Sequence, residues 1–239
     1  MWIGKQCPAK LPTIACVLRT EGTFYNRSRK VEYTADDVRW LYDMVERHVT
    51  IPHRFVCLSD VPINYKRIER VPLIWDWRGW WAKIELFRPL MFEGAVLYLD
   101  LDTAVIDNID HFLTLPERGD FYMLRSLSRG KCKGRTGDYG SGVLAFNGDF
   151  ASLYRDFAHD ADTHMATYTA SDRWGDQGFI GEHQPSIKCL QDVYPQHIQS
   201  YKYDYLVTQS LASVKILCFH GKPKPKEVQH DWLPKYKGA

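Results

Sequence analysis

The chain of 239 residues is long enough to bury one substantial core and lies at the upper end of what a single α/β domain holds. Hydrophobic residues make up 45% of it and charged residues 25%, which excludes a disordered or fibrous protein. The formal net charge is +2, and the Lys and Arg residues are dispersed except near the C-terminus. We therefore expect no nucleic-acid partner.

Two features bear on where the protein works. The N-terminus lacks the long apolar stretch of a signal peptide, and no run approaches the ~20 apolar residues that span a bilayer. The six cysteines are spread without a Cys-x-x-Cys pair, so we expect reduced thiols rather than a disulfide framework. The sequence thus predicts a cytoplasmic protein with no transmembrane segment.

The first elements alternate between strand and helix. Thr13–Leu18 is a continuous apolar run, as expected of a strand covered on both faces. From Thr34 to about His48 apolar residues recur at helical spacing, with Thr34 as a candidate N-cap. Arg54–Asp60 is typical of a second buried strand. A strand, a helix and a strand in succession predict a parallel pair.

The alternation then repeats. We expect an extended piece near Val71–Ile74, a helix from about Trp80 to Phe87 ended by Pro89, and a strand over Ala95–Leu99. Acidic residues follow that strand directly, and ligands of parallel α/β sheets bind at the carboxyl ends of strands.

Beyond Asp107 the pattern is less regular. No internal repeat or linker interrupts it, so we expect one domain over residues 1–239. The remaining predicted elements are a helix from Phe150 to about His159 and strands over Phe121–Leu124, Val143–Phe146 and Val214–Phe219.

Asp100 and Asp102 form an Asp-x-Asp triplet at the end of the predicted strand Ala95–Leu99. Two carboxylates at this spacing can reach one divalent cation, and oxygen ligands suit Mg²⁺ or Mn²⁺. A metal that also binds a nucleotide diphosphate would act as a Lewis acid on the leaving group of a sugar transfer. The triplet alone is equally compatible with an acidic turn.

Four segments resemble, in the same order, segments of the glycogenin and galactosyltransferase-like glycosyltransferases. The resemblance extends from the first strand to Pro225 and implies the GT-A fold, a Rossmann-like, mostly parallel sheet with helices on both faces. It also implies a nucleotide-sugar-binding half over residues 12–107 and an acceptor-binding half over residues 108–239. The matching segments are Gly79–Phe87, Tyr98–Asp110 with its Asp-x-Asp and Asn-Ile-Asp, Gly140–Asn147 with Ser-Gly-Val, and Gly175–Ile180 with Asp-Gln.

The resemblance implies a metal site for Mn²⁺, or Mg²⁺, at Asp100, Asp102 and a third ligand near the C-terminus. The family closes this site with His in a His-Phe-x-Gly-x-x-Lys-Pro motif, whereas this chain has Cys218 at the aligned position and His220 two residues later. We expect His220 to be the third ligand, because imidazole suits Mn²⁺ better than a neutral thiol does.

The resemblance also implies donor-binding and catalytic residues, each with a simpler structural alternative. Lys83 alternatively lies on the exposed face of a helix, and Lys222 and Lys224 are alternatively solvated charges. Asp176 and Gln177, the predicted catalytic residues, alternatively cap the following helix. Arg19, Thr20 and Asp60 are expected to contact the donor for a different reason, because they lie at strand carboxyl ends, where the nucleotide should bind. The other predicted donor-binding residues are Lys83, Asp100, Leu101, Gly221, Lys222 and Lys224.

The resulting hypothesis is a metal-dependent glycosyltransferase that moves a sugar from a nucleotide-diphosphate sugar, with uridine as the base implied by the resemblance. The acceptor and the stereochemical outcome, retaining or inverting, stay open. One alternative is a nucleotidyltransferase, but its Gly-rich, basic loop after strand one is poorly matched by Arg19–Thr23. The other is a non-catalytic nucleotide-sugar-binding protein, for which the Cys218 and His220 departure is the hint.

Overall fold

The computed structural model describes residues 10–20, 33–127, 139–169 and 173–236. Two of the six cysteines considered above, Cys7 and Cys132, lie outside these ranges, and the other four are free thiols. Within these ranges the strands are β1 Thr13–Leu18, β2 Arg54–Ser59, β3 Ile68–Pro72, β4 Ala95–Leu99, β5 Thr103–Val105, β6 Phe121–Arg125, β7 Tyr139–Asn147, β8 Lys188–Cys189, β9 Ile198–Ser200 and β10 Ile216–Cys218.

Helices connect these strands and cover them. The same ranges contain two 3₁₀ helices, Gly79–Phe87 and Pro225–Glu227, and a single π-helical turn, Tyr201–Tyr205. No helix in the described part of the chain is long and apolar enough to span a membrane. The α-helices are α1 Ala35–His48, α2 Asp110–Thr114, α3 Ala151–His159, α4 Ala161–Thr167, α5 Asp176–His183, α6 Leu190–Val193 and α7 Leu206–Thr208.

The central sheet has seven strands in the order β3-β2-β1-β4-β7-β6-β8, and a second sheet has the order β5-β10-β9. Strands β3, β2, β1 and β4 run parallel, while β7 runs antiparallel to both β4 and β6. This confirms the predicted α/β class with a mostly parallel central sheet. The parallel strands end at one edge, where β1 and β4 lie side by side.

Strands β1, β2 and β4 lack an apolar-polar alternation because both faces of the sheet are buried there. In β1, Ile14, Cys16 and Leu18 pack in the cluster that contains α1, whereas Ala15 packs in the opposite cluster. That opposite cluster contains the 3₁₀ helix Gly79–Phe87, α3 and α5. Each fully buried aliphatic side chain contributes about 1.5–3 kcal/mol relative to exposure.

Helix α1 begins and ends where the sequence predicts. Thr34 is its N-cap and forms a capping box with Asp37, in which Thr34 N–H donates to Asp37 Oδ2 at 2.7 Å. The helix ends at His48, and the N–H of Val49 donates to the carbonyl of Val45.

Other predicted elements are shifted or of a different type. The extended piece predicted near Val71–Ile74 lies earlier, as β3, because its parallel pairing with β2 starts at Ile68 opposite Phe55. The helix predicted over Trp80–Phe87 is a 3₁₀ helix that starts at Gly79. Glu85 of this helix is fully buried, and its carboxylate accepts hydrogen bonds from the backbone N–H groups of Ile74 and Trp75.

Candidate functional site

A cavity of about 430 Å³ lies at the carboxyl ends of β1 and β4. This is the edge at which ligands of α/β sheets bind, and the volume is within the ~300–1,000 Å³ of small-molecule sites. Besides these two strand ends, its walls come from the 3₁₀ helix, from β7, from the start of α5 and from the C-terminal loop that follows β10.

Most of the predicted site residues line this cavity. Thr20 and Asp60 do not belong to its described lining; instead Thr20 donates to Asp60 from its backbone N–H at 3.0 Å and from its hydroxyl at 2.8 Å. This pair ties the end of β1 to the end of β2. The predicted residues that do line the cavity are Arg19, Lys83, Asp100, Leu101, Asp102, Asp176, Gln177, His220, Gly221, Lys222 and Lys224.

The turn between β4 and β5 presents the acidic pair. The N–H of Asp100 donates to the carbonyl of Gly142 at 2.9 Å, and the N–H of Thr103 donates to the carbonyl of Asp100 at 3.0 Å. The carbonyl of Asp102 accepts the N–H of Phe219 at 2.9 Å, next to the antiparallel pairing of Thr103 with Cys218. The chain thereby delivers its C-terminal loop directly to the acidic turn.

Lys83 lies at the centre of a buried polar network. Only 4% of the residue is exposed, and its Nζ is 3.1 Å from Asp100 Oδ1 and 2.9 Å from Asp176 Oδ2. The ammonium also donates to the Ser141 hydroxyl at 2.9 Å, and that hydroxyl donates to Asp176 Oδ2 at 2.6 Å. Tyr98 donates a short hydrogen bond to Asp100 Oδ1. One ammonium group therefore links an acid of the β4 turn to an acid at the start of α5.

The electrostatics keep this lysine charged. Burial by itself would lower the pKa of Lys83, but the carboxylates of Asp100 and Asp176 outweigh it and raise the pKa above its ordinary value. Burial raises the pKa of Asp100, as do the neighbouring acids Asp102 and Asp176, while Lys83 and the Tyr98 hydroxyl act in the opposite direction. Asp100 and Asp176 thus depend on the buried ammonium that they share.

Asp102 is held separately. Its Oδ2 is 2.5 Å from Lys224 Nζ and accepts the Tyr33 hydroxyl at 3.2 Å. The ion pair is largely buried, with 7% of the Lys224 side chain and 14% of the Asp102 side chain exposed. Burial, then Asp102 and Asp100, raise the pKa of Tyr33, so its hydroxyl stays a donor.

The predicted third metal ligand has another partner in this structure. His220 Nε2 is 2.7 Å from the Ser200 hydroxyl, and burial together with Lys202 lowers the pKa of His220 to about 4, so its imidazole is neutral at pH 7. Burial, followed by Asp102 and Asp100, raises the pKa of Cys218, which keeps that thiol protonated and a poor ligand.

The donor atoms fit a hard divalent cation only in part. Within the described ranges, Asp100 Oδ2 and Asp102 Oδ1 accept no protein hydrogen bond, and carboxylate oxygens are the ligands that Mg²⁺ and Mn²⁺ prefer. The same ranges contain no group of three or more His, Cys, Asp or Glu side chains gathered as a metal site. Asp100, Asp102 and His220 share the cavity but are not brought together as a ligand set.

Several cavity residues were missed by the sequence reasoning. Ser141 joins Lys83 to Asp176, and its signal was its place in the Ser-Gly-Val segment that resembles the glycosyltransferases. Nothing in the sequence pattern indicated that Tyr33 would reach Asp102. The other missed lining residues include Tyr98, Trp174, Lys202 and Tyr203.

The cavity is positively charged despite its acids. Its described lining holds the three carboxylates Asp100, Asp102 and Asp176, and it holds five side-chain cations, so basic groups outnumber acids. These cations are Arg19, Lys83, Lys202, Lys222 and Lys224.

No protein-family model and no curated protein sequence matches this chain. Solved structures do match in fold. Glycosyltransferase GlyE of Streptococcus pneumoniae TIGR4 superposes on 90% of this chain with a TM-score of 0.62 and 16% sequence identity. The apo form of GlyE covers the same share with a TM-score of 0.58 and 16% sequence identity. An active-site mutant of LgtC superposes on 93% of this chain with a TM-score of 0.58 and 16% sequence identity. The chain spans 56% of the GlyE chain and 91% of the LgtC chain. The chain therefore has the fold of these glycosyltransferases, as its resemblance to the GT-A class predicted.

Proposed function

We propose that this protein is a metal-dependent glycosyltransferase that takes a sugar from a nucleotide-diphosphate sugar, with uridine diphosphate as the leaving nucleotide. The observation that carries the proposal is the buried Lys83, whose ammonium binds both Asp100 of the Asp-x-Asp turn and Asp176 at the start of α5. Its fold, shared with GlyE and LgtC, supports the same reaction class.

The charge and size of the cavity suit a nucleotide-sugar donor. Its excess of basic side chains complements a diphosphate, and its volume of about 430 Å³ is that of a small-molecule site. Lys222 and Lys224 lie on the loop after β10 and line the cavity, with Lys224 paired to Asp102 and Lys222 paired to Glu227. We assign these lysines to the phosphates and the ends of β1 and β4 to the nucleoside side of the donor.

Asp100 and Asp102 are the residues that would hold Mn²⁺ or Mg²⁺. A bound cation supplies a Lewis acid that stabilises charge on the departing diphosphate. Lys224 Nζ lies 2.5 Å from Asp102 Oδ2, so a cation held by this carboxylate would compete with the ammonium. Freed from Asp102, Lys224 would be available to a phosphate oxygen.

Asp176 and Gln177 are assigned to the reacting sugar. Both lie at the start of α5 and line the cavity. Lys83 and Ser141 both bind Asp176 at Oδ2, and Oδ1 accepts no hydrogen bond from any other described residue. That oxygen is therefore available to a substrate hydroxyl. It can serve as the base in an inverting reaction or orient the sugar in a retaining one.

The test is release of nucleotide diphosphate from a panel of nucleotide sugars with and without Mn²⁺. We expect Mn²⁺-dependent release from a uridine-diphosphate sugar, and loss of most of it in Asp102→Asn. Asp107→Asn is the matched control, because Asp107 pairs with Lys215 and is not among the described cavity residues. Equal activity in Asp102→Asn and Asp107→Asn would exclude the site assignment.

A second candidate, a non-catalytic nucleotide-sugar-binding protein, is favoured by two observations. Asp102 is already paired with Lys224, and the described residues provide no three-ligand metal group. This candidate predicts thermal stabilisation by uridine diphosphate with Mn²⁺, without release of nucleotide diphosphate from any donor of the panel.

A further inference from the structure

A second cavity, of about 510 Å³, adjoins the first. The two cavities share Gly79 and Trp80 in their linings, so the start of the 3₁₀ helix forms a common wall. Trp81 and Met165 contribute apolar surface to the second cavity, and Asp76, Arg78 and Asp162 contribute charged groups.

The charge of the second cavity differs from that of the first. Two carboxylates and one guanidinium line it, whereas the first cavity has an excess of cations. A nucleotide diphosphate would therefore be repelled here, and an uncharged or cationic ligand is favoured. The second cavity is thus unsuited to the donor.

The side chains that line the second cavity suit a sugar ring. Asp76, Arg78 and Asp162 are exposed, and none of them forms a side-chain hydrogen bond or ion pair with another described residue. Carboxylates and a guanidinium provide several acceptors and donors for vicinal hydroxyls. Trp80 is partly exposed, and its indole ring offers apolar surface for the C–H face of a pyranose. Trp81 is only 5% exposed, and its ring stacks on Phe157 behind the cavity.

The shared wall connects this cavity to the proposed reaction site. Trp80 packs so closely on Gly175 that a Cβ at Gly175 would lie 2.4 Å from the indole Nε1. Gly175 directly precedes Asp176, which lines the first cavity. A ligand against Trp80 in the second cavity is therefore one indole ring away from the segment that places Asp176.

We propose that the second cavity is an acceptor subsite that binds a neutral or amino sugar unit adjoining the one that receives the transferred sugar. This inference rests on the proposed glycosyl transfer. It assigns the acceptor to the class of oligosaccharides or glycans of at least two units.

The test compares acceptors of increasing length as probes. These are the mono-, di- and trisaccharides of glucose, galactose and N-acetylglucosamine, assayed for transfer with the donor that the panel above identifies. We expect a disaccharide to exceed its monosaccharide about tenfold in kcat/KM, which corresponds to about 1.4 kcal/mol and thus to one or two hydrogen bonds.

Two variants alter the second cavity without changing Trp80. Ala166→Phe fills it from α4, where Ala166 is an exposed lining residue, and Arg78→Ala removes the guanidinium. We expect both to reduce the disaccharide preference to about twofold or less. Arg118→Ala, another exposed arginine but outside the described lining of this cavity, is the control and should keep the full preference.

The outcomes separate this inference from the proposed function. Transfer without any length preference, or a preference that survives Ala166→Phe, would overturn the subsite. If no donor is turned over, the proposed glycosyl transfer fails, and quenching of tryptophan fluorescence by the same saccharides decides the subsite. Quenching by a disaccharide that is lost in Ala166→Phe would support a sugar-binding cavity, and the absence of quenching would reject it.

Discussion

Replacing Lys83 by Met tests whether the buried ammonium holds the acidic network together. Methionine keeps the length of the stem but leaves Asp100 and Asp176 without their shared cation, which is 3.1 and 2.9 Å from their oxygens. Removing one partner of a buried ion pair costs about 3–5 kcal/mol, because the remaining charge is left uncompensated. We expect that loss at pH 7, together with loss of transfer activity.

The loss should depend on pH. The pKa of Asp100 is already raised by burial and by its acidic neighbours, and removing the cation raises it further. A carboxyl group with a folded pKa above its unfolded pKa binds more protons in the folded state, so its folded form gains stability as pH falls. The difference between Lys83→Met and the parent chain should therefore shrink from pH 7 to pH 5.

Urea unfolding at pH 7 and pH 5 measures this effect. Lys215→Met is the control, since Lys215 pairs with Asp107 near the surface, with side-chain exposures of 23% and 56%, and such pairs contribute at most about 1 kcal/mol. Unchanged stability of Lys83→Met at pH 7, or the same deficit at both pH values, would refute the electrostatic account.

Three further predictions follow from the same region. Ser141→Ala removes the hydroxyl that links Lys83 to Asp176. We expect urea unfolding to show a free energy of unfolding about 1–3 kcal/mol lower, and kinetics to show a lower kcat with little change in the KM for the donor. An unchanged kcat would contradict a positioning role for Ser141. Gly175→Ala would place a Cβ 2.4 Å from Trp80 Nε1 on a residue whose φ is +64°. We therefore expect calorimetry to show a free energy of unfolding lower by at least about 2 kcal/mol. A substitution without effect on stability would contradict the tight packing. His220 has a folded pKa of about 4, below its unfolded value, so its stabilisation is present above pH 6.5 and is lost towards pH 4. In His220→Asn, the free energy of unfolding should therefore change by up to about 3 kcal/mol less between pH 6.5 and pH 4 than in the parent chain. An unaltered pH profile would exclude a neutral buried imidazole.

The parallel sheet was predictable because its physical cause is local. Burial of both sheet faces makes the inner strands continuous apolar runs, as in Thr13–Leu18 and Ala95–Leu99, and a capping residue marks the start of α1 at Thr34. The position of the Asp-x-Asp turn followed from the same pattern. These features depend on residues close in sequence, which is why the sequence alone identifies them.

The contacts inside the cavity depend on residues far apart in sequence. Lys224 and Asp102 are 122 positions apart, and Lys83 and Ser141 are 58 positions apart. No periodicity or spacing encodes such pairings. For the same reason, the hydrogen bonds between Thr20 and Asp60 were not foreseen, since they depend on how β1 and β2 align. The metal ligation by Asp100, Asp102 and His220 stays a prediction.

The winding of the helix Gly79–Phe87 decides which of its side chains meet at the cavity. In a 3₁₀ helix residues three apart are eclipsed, so Trp80 and Lys83 project along the same side, and both line the cavity. In an α-helix the same two residues would be separated by about 60° around the axis. Rewinding this one segment would thus turn the ammonium away from Asp100 and Asp176 without altering a single residue. Under the proposed function, activity would then depend on the pitch of this helix, and substitutions remote from the cavity that favour α-helical winding would lower it through rotation of Lys83.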